Sequence, residues 1–187
     1  MASDGTGEAA PSAVYPIGRL ELPTVITGAH VVAAVDALAA QPERLRRVLA
    51  GVDDADRPIR PGAWTTRQVV VHLADSHGLA LTRTQVALCG ADMDIAALDG
   101  MVHARLYACI AKRPDVAATA VQEASDVFDL VQRRWVRLLR SLDDAQRSRS
   151  WTVPQYRGPR TIARITLAYA WHGDHHIAQI ERSAATA

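Results

Sequence analysis

The chain predicts an all-α fold, an antiparallel four-helix bundle, on three observations. Its 187 residues suffice for one well-buried core and are short for two. Four long stretches carry apolar residues at helical spacing. Strand-like alternation is confined to one short connecting segment.

Residues 1–14 are small, polar and acidic, which predicts a frayed tail ahead of a single domain over 15–187. They contain no basic and apolar leader pattern, and no run approaches the roughly 18 apolar residues that span a bilayer. A cytoplasmic protein is expected. The first helix runs from about Val25 to Ala50, with Val31, Val35 and Leu38 on one stripe and Leu45, Val48 and Leu49 on another. Pro42 divides the halves. An interior proline costs about 3 kcal/mol, so the helix either kinks there or restarts with Pro42 in its first turn.

The second helix opens at Thr65, whose spacing to Gln68 is a capping box, and runs to about Leu88 before Gly90. The third spans about Val116 to Leu142, with Val121, Phe128, Trp135 and Leu142 every seventh residue. The fourth starts near Thr161 and reaches about Ser183, carrying Ile162, Ile165, Tyr169, Ile177 and Ile180. Between the second and third, Asp92 to Lys112 suits a short extra helix. Residues 150–159 alternate and turn like an irregular hairpin.

Twenty-one basic residues against twenty acidic ones leave a net charge of +1, which argues against nucleic acid or an anionic membrane as partner. Two cysteines, Cys89 and Cys109, cannot build a disulfide framework or a cysteine-rich zinc site. Cys89 ends a helix, a position that does not favour a thiolate nucleophile, and no G-x-S-x-G elbow or phosphate-binding glycine loop exists. Seven histidines remain. Bound metal would have to be held by them.

At 100° per residue, His72 lies on the stripe of Val69, Leu73, Ser76 and Ala80, while His77 points about 140° away. His172 and His176 are one turn apart, sharing a face with Ile165, Ala168 and Gln179, and His175 lies on a flank. Two imidazoles one turn apart, with a third from a facing helix, form a three-ligand site that leaves positions open. His30 and His103 are isolated and read as ordinary structural residues. Asp75, one turn after His72, is either an acceptor for an imidazole N–H or a solvated helix residue.

Three blocks then carry a family resemblance. Tyr15-Pro-Ile-Gly-Arg19, Arg60-Pro-Gly-Ala-Trp-Thr-Thr-Arg-Gln-Val-Val-Val-His-Leu-Ala-Asp-Ser-His77 and Tyr169-Ala-Trp-His-Gly-Asp-His-His-Ile-Ala-Gln179 resemble the signature blocks of the YfiT-like branch of the DinB superfamily. The resemblance covers nearly the whole chain after residue 14. It implies a four-helix bundle with a divalent metal, zinc or nickel, on His72, His172 and His176, the three that helical geometry also selects. It further implies a putative metal-dependent hydrolase or an enzyme transferring a bacillithiol- or mycothiol-type thiol, and a possible homodimer. Gln179 stands where the family often has a further histidine, and Ala97 to His103 matches the family's linker loosely.

The leading expectation is a metal-dependent S-transferase joining a small-molecule thiol to an electrophilic substrate, since a cation on neutral imidazoles keeps its charge and favours thiolate. Arg83, eleven residues after His72, lies about 20° away on the wheel and about 16 Å along the axis. It either lines the cavity, where its fork suits carboxylates, or pairs with an acid such as Asp99. A hydrolase using the same ion to activate water is the alternative, with Asp75, Asp99 or His175 as proton shuttle. A noncatalytic metal-binding or interaction bundle is the third. By resemblance Tyr15, Trp64 and Trp171 are candidate substrate contacts, although such aromatics also serve as core; Trp135 is assigned to the core.

Overall fold

The computed structural model describes residues 12, 14–89, 107–151 and 160–185. Helix α1 spans Gly28–Leu49 and α2 spans Thr66–Cys89. A 3-10 turn at Ile110–Lys112 leads into the short α3, Pro114–Ala118. Helix α4 covers Val121–Ser141, α5 is the single turn Asp144–Arg147, and α6 covers Ile162–Ala185. Before α6, β1 (Ser150–Trp151) pairs antiparallel with β2 (Arg160–Thr161), so the hairpin's ends form as expected; the span between them lies outside the described residues. The same holds for most of the expected Asp92–Lys112 helix and nearly all of the tail.

Helix α1 starts at a reciprocal cap, with the Thr27 hydroxyl accepting from His30 N–H and His30 Nδ1 accepting from Thr27 N–H. That is the role of His30. The helix passes unbroken through Pro42. Proline has no N–H for the carbonyl four residues back, which here is Leu38, and Gln132 Nε2 donates to that carbonyl at 3.3 Å instead. A side chain from another helix thus replaces the missing rung. In α2 the Thr65–Gln68 capping box forms in both directions.

The third expected helix is a correction: Val116 to Leu142 is two helices, α3 and α4, broken at Thr119 and Ala120, both extended. The Thr119 carbonyl accepts from Arg67 Nη1 at 2.6 Å rather than continuing a helical ladder. Apolar periodicity runs through the break, so it cannot be read from spacing.

Helices α1, α4, α2 and α6 surround one axis in that order, and the diagonal pairs α1/α2 and α4/α6 barely meet. Asp36 meets Arg140 while Arg46 meets Asp129, so α1 and α4 are antiparallel. His72 meets His176 while Arg83 meets Tyr169, so α2 and α6 are antiparallel too. Arg67 beside Thr119 and Thr84 beside Trp135 make α2 and α4 parallel, and α1 and α6 are parallel in consequence. The expected bundle is present with two antiparallel and two parallel seams. Since α2 and α4 run the same way, Cys89 at the end of α2 and Val121 at the start of α4 lie at opposite ends of the bundle.

Two apolar clusters fill the interior. One holds Val35, Leu38, Trp135, Leu139 and Ile165, and the other holds Leu45, Val69, Leu73, Phe128 and Ile177. Between them each helix contributes polar groups: Gln41 from α1, His72, Ser76 and His77 from α2, Gln132 from α4, His172 and His176 from α6. Buried polar atoms are costly unless paired, so a whole layer of them concentrates the specificity of the fold at one height. No described helix is long and apolar enough to cross a membrane.

Candidate metal centre

The polar layer opens into the site. His72 reaches in from α2 and His172 and His176 from α6, and one ring nitrogen from each lies within 4.8 Å of the other two. His72 Nε2 and His172 Nε2 are 3.0 Å apart. Burial, reinforced by the neighbouring His176 and His72 rings, holds His172 well below the ordinary imidazole pKa. Burial also depresses His176, to about 4. Both are neutral near pH 7, with a lone pair to offer. Three converging imidazoles are the donor set that a divalent cation such as zinc or nickel accepts.

Aromatic rings enclose the trio. Trp64 lies 5.0 Å from His72 and stacks on His176 at 6.4 Å, positioned by a turn in which Ile59 N–H donates to Trp64 C=O and Gly62 supplies φ +71°. Tyr107 meets the His72 ring edge-on at 4.3 Å. A cavity of about 180 Å³ opens beside His72 and His172, walled by Trp151, Tyr169, Trp171 and Ile165 with Arg83 and Arg160.

Of the expected substrate contacts, Arg83 and Trp171 line this cavity. Arg83 is buried and its Nη1 donates to the Tyr169 hydroxyl at 3.1 Å. Its suggested partner Asp99, like His103, lies outside the described residues. Tyr15 packs instead on His175, 5.6 Å between rings, and the Arg19 guanidinium lies 4.8 Å from its ring centroid. His175 is buried, stacks on Trp171 at 4.6 Å, and is pushed down by that burial; its Nδ1 meets no hydrogen-bond partner among the described residues. Asp75 is held by Arg113 at 2.8 Å. Trp135 is fully buried core, and both cysteines are exposed thiols.

His77 corrects the wheel reading. It is fully buried rather than turned away, and its Nε2 lies 3.4 Å from His172 Nδ1. A helix that touches both α4 and α6 buries more than one stripe, so 140° from His72 is still inside. Gln132, Gln41 and Tyr107 were likewise unmarked by any motif. Gln179, which had stood out as a family departure, has its Oε1 2.9 Å from His176 Nδ1. Gly173 lets α1 approach, because a Cβ there would overlap the Gln41 carboxamide.

Four helices in this order, with a histidine cluster between α2 and α6, define a bundle whose interior offers a donor set for a cation. The family model of the DinB superfamily matches residues 37–180, and the chain belongs to that superfamily. It is 31% identical over 168 residues to YfiT of Bacillus subtilis, covering 89% of this chain and 90% of the relative. A Geobacillus kaustophilus relative is 30% identical with the same coverage, and both bear the name "putative metal-dependent hydrolase". The solved structure of B. subtilis YfiT matches with a TM-score of 0.77 at 27% identity, covering 93% of this chain and 97% of that one. It is described as a "probable metal-dependent hydrolase with an unusual four-helix bundle topology".

Proposed function

We propose that this chain is a divalent-metal-dependent enzyme that joins a low-molecular-weight thiol to an electrophilic small molecule, with His72, His172 and His176 holding zinc or nickel. The observation that carries this reading is the trio of converging imidazoles beside a cavity walled by aromatic rings and two arginines. When bound, the cation supplies Lewis acidity that keeps a thiol in its nucleophilic thiolate form near neutral pH.

Neutral ligands add no negative charge, so the site favours an incoming anion. The buried Arg83 guanidinium is placed to bind a carboxylate of the thiol, held in orientation by the Tyr169 hydroxyl. Trp151, Trp171 and Ile165 exclude water around the reacting groups. The sulfur then forms a C–S bond as the electrophile's leaving group departs with its electron pair, and the thiol proton passes to solvent.

The second reading is hydrolysis, favoured by the names its relatives bear. Hydrolysis needs a positioned base, and no carboxylate lines the cavity among the described residues. Zinc- or nickel-loaded protein incubated with cysteine-containing thiols and alkylating electrophiles should give thioether, and His172→Ala should not. Turnover of ester or amide panels without any thiol would overturn transfer.

A further inference from the structure

We infer that Gln179 is a positioning residue that fixes the N–H of His176 on Nδ1, so that the ring turns a bare Nε2 toward His72. This inference rests on the metal-binding reading only for its functional meaning. The hydrogen-bond directions come from backbone carbonyls, which can only accept.

The relay begins at the N-terminal segment. Gln179 Nε2 donates to the Val14 carbonyl at 2.9 Å, so its Oε1 faces His176 Nδ1, which must then carry the proton. Metal-ligating histidines are commonly oriented by carboxylates or carbonyls that also raise their basicity. Here the acceptor is a neutral amide. It orients the ligand without adding negative charge, so a bound cation keeps its full Lewis acidity.

Long-range 1H–15N spectra of histidine-labelled, metal-free protein read the tautomers directly, and chelator competition with Zn²⁺ reads affinity. Wild type should show His176 as Nδ1–H. Gln179→Leu, a change at a partly exposed position, should disturb the His176 tautomer and weaken Zn²⁺ binding by about 10- to 100-fold. Gln179→Glu, which keeps an acceptor, should recover most of the loss. An Nε2–H tautomer at His176 in the wild type, or an unchanged tautomer in Gln179→Leu, would overturn the inference. If wild type shows His176 as Nδ1–H yet binds no Zn²⁺, the tautomer assignment stands and the metal reading fails.

Discussion

Replacing Gly173 by alanine sets two effects of opposite sign against each other. In an isolated helix the change stabilises by about 1 kcal/mol, because glycine is the poorer helix former. In this bundle the new Cβ would occupy the space of the Gln41 carboxamide, which is fully buried. Moving that group breaks its bond to the Ala170 carbonyl and the bond it accepts from Gln132. Buried partners left unsatisfied cost about 1–3 kcal/mol each, and Gln132 keeps the Leu38 carbonyl, which places the loss in the lower part of that range. Subtracting the propensity gain leaves a net destabilisation of about 1–3 kcal/mol. Urea unfolding followed by circular dichroism should show a lower midpoint at unchanged slope. Gln41→Ala removes the obstacle, so the double variant should lose less than the two single variants summed, by at least about 1 kcal/mol. A Gly173→Ala protein as stable as wild type, or more so, would refute the reasoning.

Three further outcomes follow from other contacts. Thr84→Val keeps the shape but removes the acceptor of the buried Trp135 indole N–H, and should lower stability by about 1–3 kcal/mol in urea titrations; a neutral effect would mean the indole finds another partner. Zn²⁺ at a hundred times its Kd should stabilise the protein by about 2.7 kcal/mol, and an equal thermal shift in His172→Ala would exclude His172 as a ligand. Asp129 is held below the ordinary carboxylate pKa, first by its hydrogen bond from Arg133, with Arg46 adding to it. Its contribution is present above the unfolded value of about 4 and is lost as pH falls through the lower folded value. Asp129→Asn should therefore flatten the acid side of a Tm-against-pH curve, and an identical curve would remove Asp129 from the account.

Much of the architecture was legible because periodicity reports which face of a segment is apolar. The stripes of α1, α2, α4 and α6, the Thr65–Gln68 cap and the one-turn spacing of His172 and His176 are local properties that survive into the fold. His72 shares its stripe with Leu73 and Ser76, so its inward direction was local information too. The break at Thr119 was not, because Arg67, distant in sequence, takes the carbonyl there.

By itself, the sequence determined four amphipathic helices, a chain without a cysteine-based site, and the three histidines that the fold gathers. Only the tertiary structure decided which faces meet and in which direction, since an apolar stripe does not specify its partner. That choice put α2 between α4 and α6, which buried His77 as well as His72. It also brought Gln132 to the carbonyl that Pro42 leaves open. Gln132 and Gln179 owe their direction to backbone carbonyls far away in sequence, at Leu38 and Val14, and no spacing rule could have supplied that.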